Sequence, residues 1–328
     1  MNPGKERRKP MAEKKPDKAY PSQFDKVKEI TDKLEAGIQA LFESEAFKNY
    51  LKTLSKFHDY SLNNTILIAM QKPDATLVAG YTAWQKNFGR QVQKGETGIR
   101  ILAPTPYKKK MEVDRLDPDT GQAILNPDGS TAKELKEIMV PAFKVVNVFD
   151  VSQTDGKPLP TIGVDELTGN VTNYEMFFEA LERACPVPVG FEQIPSGAKG
   201  YYHTVEQRIA LQEGMSEVQT IKTMIHEMAH EKLHAKEHLD KEHPTDRRTK
   251  EVEAESIAYT ICQHYGLDSS DYSFSYVAGW SSGRDTKELK NSLERIRSAA
   301  DEMITAIDKS LERQAVRSQT LASRDEAR

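Results

Sequence analysis

The stretch His226-Glu227-Met228-Ala229-His230 sets two imidazoles four residues apart with a carboxylate between them. On a helix, residues i and i+4 lie one above the other, so His226 and His230 can direct ring nitrogens at a single ion. Glu227 is then beside that ion, placed as general base towards a water the ion activates. A pattern this short arises by chance, and it needs a third ligand. Residues from about Ser216 to His234 supply the helix: Val218, Ile221, Ile225, Met228, Ala229 and Leu233 recur at three- and four-residue steps and mark its buried side.

A second helix follows from the run Lys250 to Tyr259, where carboxylates and apolar residues interleave and Ile257, Ala258, Ile261, Cys262 and Tyr265 continue a buried side. A loop through Pro244 brings it back across the first helix. Glu251 is assigned as the third ligand of a zinc ion, the metal that His/His/Glu donors favour. Glu255, one turn further on the same face, is assigned as the acceptor that orients a ligand histidine through its other ring nitrogen, and it stays open as an alternative third ligand. Glu253 points elsewhere on that helix. His234 and His238 extend the stripe of His226 and His230, but His234 lies about 12 Å of helix from His226, too far to share a tetrahedral ion. His234, His238 and His243 are therefore assigned to the surface or to support of the ligands. Carboxylate-rich helices are in general solvated faces, and only the pairing with H-E-x-x-H turns this one into a ligand source. The pattern is similar to that of the gluzincin metallopeptidases; the metzincin arrangement, whose third histidine follows a glycine, is absent.

The whole chain has 328 residues, 38% of them hydrophobic and 29% charged, with a net charge of -4. That is enough for two domains with cores. No apolar run approaches the ~18 residues of a membrane span, and the charged segment Met1 to Lys18 carries no secretory signal, so the expected location is cytoplasmic. Cys185 and Cys262 are expected as free thiols. No G-x-x-x-x-G-K-[ST] and no strand-linked G-x-G-x-x-G occurs, which excludes a nucleotide cofactor site of either kind.

Net acidity pushes any nucleic-acid surface into local asymmetry. Between Gln85 and Lys110 lie Lys86, Arg90, Lys94, Arg100, Lys108, Lys109 and Lys110 against Glu96 alone, flanked by Tyr81, Trp84, Phe88 and Tyr107. Rings that stack bases beside cations that pair phosphates suit single-stranded nucleic acid. By composition alone, such a stripe is more often a solvated face over a core.

The supporting elements read as follows. Residues 1–20 form a disordered basic tail. Two amphipathic helices span Ser22 to Lys56, and Ser61 caps a third whose Ile66, Leu67 and Met70 face inward. A short helix through Tyr81 to Phe88 ends at Gly89. Ile99 to Leu102 and Val140 to Phe149 are strands, separated by a turn-rich exposed hairpin at about 105–137. Gly156 to Pro160 is the best linker. Beyond it come a helix from Tyr174 to Ala184, strands at Val187 to Phe191, Gly200 to His203 and Arg208 to Leu211, the two metal helices, a loop at Trp280 to Gly283, and a terminal helix from Asp285 to Ala315. This is an α+β chain of two domains: residues 21–155, and a zincin-like unit at 156–315 whose strands offer an edge to an extended peptide, with a tail at 316–328.

Several of these stretches together resemble one family. Asn64 through Gln71, Tyr81 with Trp84, Gly89-Arg90-Gln91-Val92-Gln93-Lys94-Gly95-Glu96-Thr97-Gly98-Ile99, and Val148-Phe149-Asp150-Val151-Ser152-Gln153-Thr154 resemble the N-terminal domain of ArdC-type antirestriction proteins. The second half, through His226, Glu227, His230 and Glu251, is similar to the zincin-like domain that accompanies it. The resemblance implies single-stranded DNA binding through Asn64, Tyr81, Trp84, Lys86, Arg90, Lys94 and Arg100, and protection of DNA entering on a mobile element. The other function these residues suggest is a zinc-dependent endopeptidase acting on a regulatory or DNA-bound protein, with His203, Tyr201 or Tyr202 as oxyanion stabiliser.

Overall fold

The computed structural model describes residues 22–159, 171–235, 245–267, 272 and 274–325. His238, His243, the return loop at Pro244 and the expected tail at 1–20 fall outside these residues. Three helices open the described chain: α1 (Gln23–Ala40), α2 (Ser44–Lys56) and α3 (Leu62–Gln71). They bury one face each, through Ile30, Leu34 and Ile38, then Phe47, Tyr50, Leu51 and Leu54, then Ile66 and Leu67. Two local expectations fail in α3. Ser61 occupies the N-cap position without a side-chain cap bond, and Met70 is 44% exposed, lying over Gly37 at the helix surface.

A three-stranded antiparallel sheet follows, in the order β1 (Val78–Gly80), β6 (Phe143–Asp150), β3 (Ile99–Pro104). The helix α4 (Tyr81–Phe88) ends at Gly89, whose φ of 61° is the left-handed stop that glycine accepts without a Cβ penalty. Between β3 and β6, β4 (Tyr107–Asp114) and β5 (Lys133–Val140) form the expected hairpin, a ribbon paired from Tyr107 with Val140 to Asp114 with Lys133. The apolar run from Val140 to Phe149 is thus two strands, broken at Pro141, where proline removes a ladder donor.

Asp150 is the joint of this region. It is 1% exposed, and its carboxylate accepts the amides of Thr76 (2.7 Å), Leu77 (3.1 Å) and Ser152 (2.9 Å) together with the Ser152 hydroxyl (2.6 Å). Gln153 completes a capping box by accepting the Asp150 amide at 2.9 Å. A 3-10 turn, Val151–Gln153, then leads to β7 (Thr154–Gly156), which pairs with β2 (Arg90–Val92). Gly156 therefore belongs to a sheet, not only to a linker. A Cβ there would meet the Arg90 Cα and the Gly89 carbonyl at 2.8 Å.

The second half contains α5 (Val171–Ala184), a sheet of β8 (Val189–Glu192), β10 (Arg208–Gln212) and β9 (Gly200–His203), the helices α6 (Glu217–His234) and α7 (Arg247–His264), the short α8 (Val277–Ser281), and α9 (Thr286–Asp325). β10 runs parallel to β8 and antiparallel to β9, leaving β9 as the edge beside α6. Trp280 stands in α8, not in a loop, and its indole donates to Thr249 at 2.9 Å. The terminal helix runs on through residues assigned to a tail, as far as Asp325.

The two halves do not have separate cores. One apolar cluster joins Leu34, Phe47 and Leu51 to Phe177, Ile225, Ile257, Leu293 and Ile304; a small second cluster, with Phe57, Ile68, Val78 and Ile101, sits under the β1-β6-β3 sheet. The shared cluster makes α1 and α2 part of the support of α7 and α9. No helix among the described residues is long and apolar enough to cross a membrane.

Candidate metal centre

Helix α6 begins where the Ser216 hydroxyl accepts the Gln219 amide at 3.3 Å. Ile221, Met224, Ile225, Met228 and Ala229 are buried against the core and fix its rotation, while Val218 is 38% exposed and leaves the expected stripe. That rotation points His226 and His230 the same way. Their Nε2 atoms are 3.0 Å apart. Across the gap, Asp246 caps α7 by accepting the amides of Arg248 and Thr249 at 3.0 and 3.1 Å, and in its second turn Glu251 extends Oε2 to 3.7 Å from both Nε2 atoms.

These three donors can hold a metal ion. A tetrahedral ion with bonds of about 2.1 Å holds its ligand atoms about 3.4 Å apart, and the observed 3.0, 3.7 and 3.7 Å bracket that separation. The electrostatics agree. Burial opposes charge on His226, yet Glu251, Glu227 and Glu255 hold its pKa above the usual value. Hydrogen bonding from His226 and His230 holds Glu251 well below the carboxylate range. Positive charge is favoured at the point where the three side chains meet.

Glu227 lies beside them, 7% exposed. Burial pushes its pKa up against the pull of both histidines and of the Tyr202 amide. A cleft of about 420 Å³ opens over it, bounded by Thr223, His226, Glu227 and Glu255 on the helices and by Lys199 and Gly200 at the start of β9. The edge strand comes this close because residue 200 has no side chain: a Cβ would stand 2.6 Å from Thr223 Cγ2 and 3.3 Å from Glu227 Cγ. None of Tyr201, Tyr202 and His203 lines the cleft. The Tyr201 hydroxyl donates to Glu192 at 2.5 Å, and His203 Nδ1 accepts the Glu206 amide at 3.0 Å.

Behind the ligands the structure differs from the sequence expectation. The group that reaches the second nitrogen of His230 is His234: the two Nδ1 atoms are 3.0 Å apart. His234 is 7% exposed, so of its two expected places it takes the one in support of the ligands. Glu253, expected to point away, is fully buried and faces His234 Nε2 at 3.1 Å. Spacing did offer a signal, since 226, 230 and 234 form one i, i+4 series. Glu255 borders the cleft with His226, whose charged form it favours.

The residues expected on a DNA surface separate into two groups. Trp84 is fully buried and its indole donates to the Phe149 carbonyl at 2.8 Å, so its ring has no face free for a base. The Asn64 amide is tied at both ends to the Leu102 backbone, at 2.9 Å each. Arg90 donates to Thr154 Oγ1 and O, both at 2.7 Å, and to the Lys157 carbonyl. Arg100 grips both oxygens of Glu29, at 3.1 and 3.3 Å. Tyr81, Lys86 and Lys94 are exposed. Tyr81 and Lys94 border a depression of about 560 Å³ together with Phe149, Glu96 and Asp155.

Fold and site together define an α+β protein with a candidate divalent-metal centre. Residues 24–149 match the N-terminal domain of anti-restriction factor ArdC. An uncharacterized protein of Bacillus anthracis is 27% identical over 321 residues, a match covering 88% of this chain and 52% of the relative. The chain thus spans about half the length of that relative. The crystal structure of the antirestriction ArdC protein from R388 plasmid, in its metal-free form, is 24% identical with a TM-score of 0.46, covering 90% of this chain and 99% of that one. Its Mn(II)-bound form is 22% identical with a TM-score of 0.46, covering 89% and 98%.

Proposed function

We propose that this chain is an antirestriction-type protein of a mobile element: its ArdC-family region binds entering single-stranded DNA, and its second half carries a zincin-like centre that takes zinc. The observation that carries the metal reading is the convergence of His226, His230 and Glu251 at tetrahedral spacing beside a buried Glu227. A divalent ion held there supplies Lewis acidity towards a carbonyl oxygen. The protein's own contribution is to hold the three donors rigidly from two packed helices, to keep Glu227 ready to accept a proton from water, and to present the β9 edge for an extended chain. Proteolysis of a DNA-bound or regulatory protein is the second reading, and Glu227 favours it, because a centre that only braces the fold has no use for a buried carboxylate beside its ligands.

Zinc analysis of the full chain should give one ion per molecule, falling to background in His226→Ala. Equal zinc in the two proteins would refute the centre. Glu227→Gln should keep the zinc and lose cleavage of any protein substrate, and full cleavage by that variant removes Glu227 from the chemistry. On the DNA side, exposure supports Tyr81, Lys86 and Lys94 as the contact residues. Tyr81→Ala should weaken single-strand affinity by about 1–3 kcal/mol, the worth of one stacked base. Unchanged, salt-independent binding in that variant would place the DNA elsewhere.

A further inference from the structure

A metal ligand histidine has a second ring nitrogen, and its partner there decides which nitrogen keeps the proton. For His230 that partner is another histidine. Nδ1 of His230 lies 3.0 Å from Nδ1 of His234; Nε2 of His234 lies 3.1 Å from Oε2 of Glu253. The remaining oxygen of Glu253 accepts Arg295 Nε at 2.9 Å, and also Arg295 Nη2 and the Ser292 hydroxyl. Helices α6, α7 and α9 each supply part of this chain of contacts.

One proton arrangement satisfies every link once Nε2 of His230 is turned to a cation. His230 keeps its proton on Nδ1 and donates it to His234 Nδ1. His234, accepting there, holds its own proton on Nε2 and donates to Glu253, which stays ionised opposite Arg295. Both interior members are enclosed: Glu253 is 0% exposed and His234 7%. A buried carboxylate bonded from three side chains is a fixed point, and His234 transmits that fixity to the ligand.

We propose that His234, locked by Glu253, Arg295 and Ser292, is a positioning residue that sets the tautomer and ring orientation of His230 towards a divalent ion. The inference rests on the metal reading above. The competing explanation is a buried histidine satisfied by a buried glutamate for packing alone, and the two differ in what removing His234 does to the metal.

The experiment measures zinc affinity by competition with a chromophoric chelator, the visible bands of the cobalt(II)-loaded full chain, and the melting temperature of the metal-free protein. It compares wild type with His234→Phe and His234→Asn. His234→Phe should lose roughly 10- to 100-fold in zinc affinity and shift the cobalt bands. His234→Asn keeps an acceptor for His230 Nδ1 but loses the link to Glu253, and should fall between. Wild-type affinity and cobalt bands in His234→Phe, with only the melting temperature lowered, would overturn the proposal. Should His234→Phe fail to fold, wild-type affinity in His234→Asn would overturn it equally. If the wild-type chain itself takes up no zinc, the metal reading falls first and this inference with it.

Discussion

Asp150 and Glu251 are both carboxylates held below their ordinary pKa, and the groups that hold them mark the difference between the two regions of the molecule. Burial opposes the charge on Asp150, but three backbone amides and the Ser152 hydroxyl outweigh it. Those partners belong to the fold and cannot leave without unfolding it. Glu251, half-exposed, is held by two imidazoles that also face each other. Its partners are side chains that a cation can engage in place of one another. The polar groups around Asp150 close mainly on the backbone, whereas those at the cleft meet one another at a point.

Replacing Asp150 tests that distinction most severely. Asp150→Ala strands the Thr76, Leu77 and Ser152 amides in the interior, so chemical denaturation should show a loss of about 3–5 kcal/mol. Zinc stoichiometry in the folded protein should not change; a joint loss of zinc would merge the two regions into one functional unit. The sign of the pH effect follows. Because the folded pKa of Asp150 is depressed, its contribution is fully present above the unfolded value of about 3.9 and is lost as pH falls through the lower folded value. Asp150→Asn should flatten that acid limb of the stability curve.

Gly200→Ala acts at the cleft instead. The new Cβ meets Thr223 Cγ2 at 2.6 Å, which drives β9 from α6. We expect a stability loss of about 1–3 kcal/mol, accompanied by altered zinc affinity, since Glu227 and two of the ligands, His226 and His230, share that helix. A stability loss with zinc affinity unchanged would show that the edge strand and the metal ligands move independently.

Much of the site was legible before the fold was known because its code is local. His226, Glu227 and His230 sit on one helix, and the period of Ile221, Ile225 and Met228 fixes which way they point. Glu251 was reachable because α7 has its own period. What could not be read is the partner of a side chain brought from elsewhere. Helical geometry turns Glu253 from Glu251, and only the approach of α9 with Ser292 and Arg295 makes its direction an interior one. Trp84 and Arg90 failed in the opposite sense. A ring and cations in sequence look like a binding surface, while burial under β6 and the bonds to Thr154 depend on strands some 60 residues downstream. The same distance explains the shared core, since no linker composition reveals that α2 will pack on α7.

The smallest expected effect sharpens the comparison where sequence and structure disagree about DNA. Counterion release ties the salt dependence of binding to the number of phosphates a protein neutralises, about 0.7 in slope for each contact to a single strand. Lys94 is exposed and pairs with no acid among the described ion pairs, so Lys94→Gln should reduce the slope by about that amount if it meets a phosphate. Arg100 has its guanidinium on Glu29, bidentate across α1 and β3. Arg100→Gln should therefore leave the slope where it was. Titrations of a fluorescent single strand at several salt concentrations separate the two cases. An equal drop in Arg100→Gln would mean that the Glu29 pair opens on binding, and would return Arg100 from the joints of the fold to its DNA surface.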